Sequence, residues 1–598
     1  MRRTLDFLLF DWLQVESLTS RPRFAEHSRE TFAQVLDTCE RIARDKFAPF
    51  NRLVDTEEPR SVVDEQGARV ILPQATHDAW HAYAESGMLA AAQSEEWGGM
   101  NLPYVVEAAA NAFFARASVS ISAALLTVGN ANLLLAHGTP RQKEVFARAE
   151  FEGRWAGTMC LSEPQAGSSL SDVATRAILE DGDDELSPRY RLTGHKMWIS
   201  AGEHEITENI VHLVLAKIPD ADGKLIAGTK GISLFIVPKR LVDAQGRLTG
   251  ERNDVVLAGL NHKCGWRGTT NTLLNFGERG GAIGYLVGKP GEGLKGMFHM
   301  MNEARIGIGM AATMLGMAGY EAALDYAKQR PQGRPITGVG KDASQPQVAI
   351  IEHADVKRML LAQKAYAEGA LALQLYCARL VDEQHTGDEA DAREAALLLD
   401  VLTPIAKSWP SEWCLEGNSL AIQVHGGYGY TRDFAVEQYW RDQRLNMIHE
   451  GTHGIQALDL LGRKVTMNSG AGLKLLATRI STTALRAGHV EGFAAQASAL
   501  AAALQSLGAA TKAAWATGVA EEALANATPY LQAFGHTVLA WIWLDVALAT
   551  ASRDDDAAQG QRAAMRYFFG YELPKIGAWL TVVSSRDATC REMKESWF

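Results

Sequence analysis

Cysteine is scarce in this chain. The 598 residues contain six, at Cys39, Cys160, Cys264, Cys377, Cys414 and Cys590, and no two form a CxxC pair. That spacing excludes a zinc ribbon, a thioredoxin-type site and a disulfide scaffold, and it fits a reducing compartment. A surplus of positive charge is also missing. Against 59 Lys and Arg stand 70 Asp and Glu, for a formal net charge of −11. This argues against nucleic acid as the main partner. No apolar run is long enough to span a bilayer, since the most apolar late stretch, 538–551, is short and contains Asp545. Asp6 and Asp11 break the apolar start, and no small-residue cleavage site follows it. A cytoplasmic protein with no firm membrane signal is expected. No fixed-period repeat is present.

What the chain does have is ample core-forming sequence, with 47% hydrophobic and 22% charged residues. Apolar residues recur at helical spacing over 31–47, 76–88 and 105–135. From about Gly157 to Lys289 the texture changes to short β-branched runs such as 211–216 and 232–237, separated by turns such as Gly182-Asp183-Asp184. Long helical patterns return over 297–329, 349–382 and 393–418, with a break at 331–346. After Asn468 the chain is Ala-rich and helical, with a weak break at Gly508 and firmer ones at Pro529 and Asp554-Asp555-Asp556. The expected fold is mainly α with an inserted antiparallel β domain and a C-terminal helical bundle. The expected segments are 1–72, 73–156, 157–290, 291–465 and 466–598.

Three constellations carry candidate chemistry. His449-Glu450-Gly451-Thr452-His453 has the H-E-x-x-H form of a zinc hydrolase, which needs both histidines on one helix face. A glycine inside that helix would cost about 1 kcal/mol. The same residues also read as a lone carboxylate, Glu450, at a glycine-loosened bend, where it could serve as a general base, or as an exposed Glu at a helix break. Gly291-Glu292-Gly293-Leu294-Lys295-Gly296 has the form G-x-G-x-x-G, but Lys289-Pro290 intervenes and no βαβ unit follows, so a strand-to-helix turn is expected. The third constellation pairs Met159–Ser169 with Gly194–Ser200. Its Gly/Ser turn and its indole beside a hydroxyl suit the polar and flat parts of a cofactor. Either piece alone reads as no more than a β-turn or a core Trp.

Taken together, these motifs resemble the acyl-CoA dehydrogenase family over roughly Gln74 to Lys464. The match rests on Ser94-Glu95-Glu96-Trp97-Gly98-Gly99, Gly138-Thr139-Pro140-Arg141-Gln142-Lys143, Ser162–Ser168, Gly194–Ser200, Arg305, Arg330, Gln423–Gly429 and Glu450-Gly451-Thr452, in the family's order. The resemblance implies a helical domain, a β domain and a four-helix domain, with FAD as cofactor and no metal. It implies that Glu450 takes the α-proton of a fatty acyl-CoA while flavin N5 accepts the β-hydride, giving the trans-2-enoyl-CoA. The thioester oxygen would be held by a flavin ribityl hydroxyl and the Glu450 backbone N–H.

The resemblance further places Met159, Leu161, Ser162, Trp198 and Ser200 on the flavin ring, with Gly167 shaping the turn. Ser168 would lie near the flavin phosphate or the CoA arm, Arg305 and Gly451 near the substrate, and Thr452 against the flavin. Arg330, Gln423 and Gly427 would hold the pyrophosphate and adenosine half across a subunit boundary. Ser169, Pro331-Gln332-Gly333-Arg334 and His449 depart from the family's common residues. His449, in place of a common Tyr, would alter the pocket wall or the local pKa. Both ends resemble the large bacterial subgroup that includes fatty acyl-CoA and 3-methylmercaptopropionyl-CoA dehydrogenases. That subgroup implies a homodimer, with an electron-transfer flavoprotein as electron acceptor. A flavin-bearing DNA-associated non-enzyme and a zinc hydrolase are the competing classes.

Overall fold

A computed structural model of the chain describes residues 1–64, 67–122, 124–336 and 340–598. The described residues form two compact units. One comprises 30–102 and 113–304, and the other 1–29, 103–112 and 305–598. These units cut across the five expected segments.

The first unit is built on strands. A hairpin of β1 (Arg60–Asp64) and β2 (Gly67–Ile71) lies within the expected N-terminal helical extension, so that segment is not purely helical. The main sheet comprises β3 (Trp155–Cys160), β4 (Arg176–Asp181), β5 (Arg189–Ser200), β6 (Asn209–Lys217), β7 (Ile232–Pro238), β10 (Val255–Leu260), β11 (Asn271–Phe276) and β12 (Ala282–Val287). Two short strands, β8 (Arg240–Val242) and β9 (Leu248–Arg252), pair separately. The main order is β10-β11-β5-β12-β7-β6-β3, with β4 beside β5. Most neighbours are antiparallel, as the short turns require. The edge pair β3–β6 departs from the expectation by running parallel, Trp155 opposite Asn209. Every residue of β6 and β7 is buried, and both strands are mainly apolar, with Asn209, His212, Lys217 and Ser233 as the buried polar exceptions.

The expected helix 105–135 is interrupted, forming Tyr104–Ala117 and Ala124–His137. The G-x-G-x-x-G segment is the expected strand-to-helix turn. A Cβ on Gly293 would come within 2.3 Å of the Ser233 carbonyl carbon, and the Gly291 N–H donates to Ser233 Oγ at 2.9 Å. Close packing on β7 thus explains these glycines.

The second unit is helical. The Gly293–Gln329 helix enters it at Arg305, followed by the helices Ala354–Thr386 and Glu389–His425. The expected break at 331–346 includes residues 337–339, which lie outside the described residues. The Glu389–His425 helix contains Pro404 and Pro410. Pro410 has no N–H to donate to the Ala406 carbonyl. Gln374 Nε2 takes up that carbonyl at 2.6 Å.

In the C-terminal part, Gly508 does not break its helix, which runs Ala494–Ala514. Pro529 lies in the first turn of Ala527–Leu548, where a missing N–H costs little. That helix has 22 residues and is long and apolar enough to cross a membrane, contrary to the expectation for this stretch. It is mostly buried within its own unit, with Trp541 and Trp543 in the core. Asp555 caps the Asp556–Tyr567 helix through the Ala557 and Ala558 N–H groups.

Candidate active site

The predicted site residues fall into two groups, one in each unit. In the strand unit, Met159 is buried on β3, and Leu161 packs beside it. The following loop closes on itself through reciprocal Glu163–Ala166 backbone hydrogen bonds of 3.0 Å. Ser162 is half-buried, while Gly167 and Ser168 at the tip are exposed. A Cβ on Gly167 would meet nothing within 4 Å. Ser169 and Asp172 hydrogen-bond each other beyond the tip.

Strand β5 meets this loop through a bulge. Lys196 pairs with Leu274 and Ile199 with Thr272, so Met197 and Trp198 together oppose Leu273. The two bulged residues diverge. The Met197 N–H donates to the Ser162 carbonyl at 3.0 Å. Trp198 adopts φ +66° and leaves its side chain 58% exposed. A left-handed tryptophan is costly, by roughly 1–2 kcal/mol, and an exposed indole regains little of that by burial. Bulges commonly re-aim a side chain beside an active site. Ser200 ends the strand and accepts from Asn271 Nδ2 at 3.3 Å.

An ion pair that sequence reasoning left unassigned locks loop to strand. Lys196 Nζ contacts Glu163 Oε1 and the Leu161 carbonyl, both at 2.9 Å. Glu163 also accepts from the Ala174 and Thr175 N–H groups and the Thr175 hydroxyl. Burial alone would raise the Glu163 carboxyl, but the Lys196 charge and these donors hold it down at about 2. Burial pushes Lys196 below its usual range. Both residues stand inside the family motifs, but only their burial reveals the pairing.

In the helical unit, Arg330 follows the Gly293–Gln329 helix and is exposed. Its guanidinium lies 5.6 Å from the Tyr428 ring centroid. Tyr326 stacks on His425 at 4.3 Å, so this helix end meets the end of Glu389–His425. Gln423 and Gly427 are exposed there, and Gly426 turns the chain with φ +62°. Arg330, Gln423 and Gly427 thus stand near one edge of this unit.

Glu450 sits on a second strained turn. Glu450 and Gly451 have φ +53° and +85°. A Cβ on Gly451 would come within 2.5 Å of Gln456 Nε2. Gln456 Nε2 donates to the Glu450 carbonyl at 3.0 Å, and Lys407 Nζ to the Gly451 carbonyl at 2.8 Å. The turn's carbonyls are therefore engaged. Among the described residues, the Glu450 N–H meets no protein acceptor. Burial raises the Glu450 carboxyl above the usual range, with Lys407 and Arg305 opposing.

Arg305 is buried, and its Nη1 pairs with Asp459 at 3.2 Å while Nε is unpartnered. Thr452 caps the His453–Asp459 helix, its Oγ1 accepting from the Ile455 N–H. His449 lies before that helix and His453 is its first residue, so the two share no helical face and the zinc-hydrolase arrangement is not formed. His453 Nε2 instead meets Glu412 at 3.0 Å. Burial, aided by Lys407, lowers His449 to about 3, so it is neutral at working pH.

Comparison with known proteins decides the family. Models of the acyl-CoA dehydrogenase N-terminal, middle and C-terminal domains match residues 29–153, 158–272 and 291–465. A model described as acetyl-CoA dehydrogenase C-terminal like matches 476–594. The 3-methylmercaptopropionyl-CoA dehydrogenase of Ruegeria pomeroyi is 35% identical over 92% of this chain and 90% of its own. The chain belongs to the acyl-CoA dehydrogenase family. It is an oxidoreductase. A broad-specificity linear acyl-CoA dehydrogenase of Mycobacterium tuberculosis is 31% identical over 99% of this chain and 98% of its own. A Bacillus anthracis acyl-CoA dehydrogenase solved in complex with FAD shares the fold, with a TM-score of 0.74 and 19% identity over 94% of this chain and 89% of that one. The family's N-terminal model begins at residue 29, inside the segment expected to be an extension.

Proposed function

We propose that the chain is an FAD-dependent enzyme that desaturates fatty acyl-CoA thioesters between the α and β carbons, with Glu450 as the base. The carrying observation is Glu450 itself. The residue is half-buried, its carboxyl is raised above the usual range, and it is presented by a two-residue left-handed turn whose carbonyls are tied inward.

FAD, when bound, supplies the hydride acceptor. The chain's own groups suit it. The exposed Trp198 and the Met159–Leu161–Ser162 edge offer a flat face, and Ser200 a hydroxyl. Ser168, at the open Gly167 turn, offers a further hydroxyl. Arg330, beside Tyr428, Gln423 and Gly427, offers charge and an uncrowded backbone to a pyrophosphate. Glu450 takes the α-proton onto its carboxylate. Its free backbone N–H supports the charge developing on the thioester oxygen. Exclusion of water raises the carboxylate's basicity toward the working pH.

A methylthio-propionyl thioester is the second reading, favoured by the 35% identity to the Ruegeria pomeroyi enzyme. Electrons would pass to an electron-transfer flavoprotein. The few, scattered cysteines suit a cytoplasmic site of action.

The test is anaerobic addition of short, medium and long acyl-CoAs and of 3-methylthiopropionyl-CoA to the holoenzyme. Bleaching of the visible flavin band is expected, and the fastest thioester identifies the substrate. Glu450→Gln should bind FAD normally and bleach roughly 10³-fold more slowly or worse. Wild-type bleaching by the Gln variant would remove Glu450 from the mechanism.

A further inference from the structure

Lys407 is fully buried, with 0% exposure, on the Glu389–His425 helix between Pro404 and Pro410. A lysine in such a place is rare unless paired. Its ammonium donates to a main-chain oxygen, the Gly451 carbonyl at 2.8 Å. That oxygen belongs to the residue after Glu450, in the strained turn. The charged and titratable groups around it come from two further elements. Arg305 comes from the Gly293–Gln329 helix, and Glu450 and His449 from the 448–452 turn.

These groups do not balance one another by direct pairing. Arg305 is committed to Asp459. His449 carries no charge at working pH. Glu450 is the anion that acts on this ammonium. Burial pushes the lysine down to about 7, with Glu450 holding it up and Arg305 adding to the fall.

We propose that Lys407 is a positioning residue for the dehydrogenation: its ammonium fixes the Glu450–Gly451 turn through the Gly451 carbonyl and keeps Glu450 ionised and ready to accept the α-proton. This rests on Glu450 being the base. A lysine that merely filled space, or merely tied down the turn, would leave the protonation of Glu450 alone.

The experiment compares Lys407→Met and Lys407→Arg with wild-type holoenzyme and Glu450→Gln. The pH profile of kcat/KM is measured for each. Infrared difference spectra between acid and alkaline pH, without substrate, report the neutral carboxyl of Glu450, identified by its absence in Glu450→Gln. Loss of the Lys407 charge should move the acid limb and the infrared titration upward by about one pH unit, a tenfold change in proton affinity. Lys407→Arg keeps the charge and should restore the limb at least in part. A Lys407→Met protein with unmoved infrared titration overturns the inference even if its rate has fallen, and it leaves Glu450 as the base. A Glu450→Gln variant that turns over like wild type overturns both. The infrared readout keeps the test decisive if Lys407→Met folds but does not turn over.

Discussion

Trp198 carries two costs that packing within its unit does not offset. Its backbone is left-handed, and its ring is largely in solvent. Strain kept at a site without local compensation marks function, and the beneficiary proposed above is the flat cofactor. The substitution Trp198→Gly separates the two contributions. Glycine adopts φ +66° freely, and that relief offsets the modest packing that a largely exposed ring provides. Apoprotein stability should therefore stay within about 1 kcal/mol of wild type. FAD affinity, measured by flavin fluorescence during titration of the apoprotein, should fall at least tenfold. A variant that melts far earlier, yet holds FAD as tightly, would make the indole a core residue.

At the scale of elements, the Glu163–Lys196 pair joins the 161–169 loop to β5 in the strand unit. Breaking one side of a buried pair leaves an uncompensated charge, at about 3–5 kcal/mol. Lys196→Met should lower stability by that order and loosen FAD, as read by thermal unfolding with and without the cofactor. The pH dependence has a definite sign. The folded Glu163 carboxyl titrates at about 2, against 4.5 when unpaired. Its contribution is complete above about pH 4.5 and is lost as pH falls toward 2, so wild type should lose stability there more steeply than the variant. The lysine, lowered by burial, works against the pair, which makes the net gain smaller than the carboxyl shift alone implies. An acid unfolding profile unchanged by Lys196→Met would refute this account.

Elements also show what could be read from the sequence. Helical spacing located the long helices, because an apolar stripe must be buried whatever packs on it. Family motifs singled out Glu450, Trp198, Arg330 and Gln423 as candidates because each is tied to a fixed order of short segments. The misses share a physical cause. Lys407 and Lys196 are polar residues whose meaning lies in burial, and burial is tertiary. The β1–β2 hairpin pairs a wholly exposed strand with a half-buried one, and neither shows a clear alternation. Gly508 sits on a helix surface where a Cβ would meet nothing within 4 Å, so a glycine there costs propensity but breaks nothing.

For the whole molecule, the decisive surface is the one that the C-terminal helices cover. Trp409 and Trp413, on the Glu389–His425 helix, pack on His536, Phe568 and Trp579 from the C-terminal part of the same unit. Ring separations of 5.9–6.2 Å mark a closed aromatic contact. A face occupied in this way by the chain itself is not available for pairing with another copy. By contrast, the Arg330–Gly427 edge is open, with Tyr428 half exposed and Tyr430 almost wholly so. A cofactor half bound there by residues of one subunit for its neighbour would give a single pairing face, and hence a closed twofold dimer. The expected mass in sedimentation velocity is twice the 65.0 kDa of the chain, both with and without added electron acceptor. Arg330→Glu should weaken FAD binding in the dimer while leaving the aromatic contact at Trp409 intact. A stable tetramer would mean that the C-terminal helices do not close the second face, and a monomer that retains FAD fully would mean that Arg330 and Gln423 serve no neighbour.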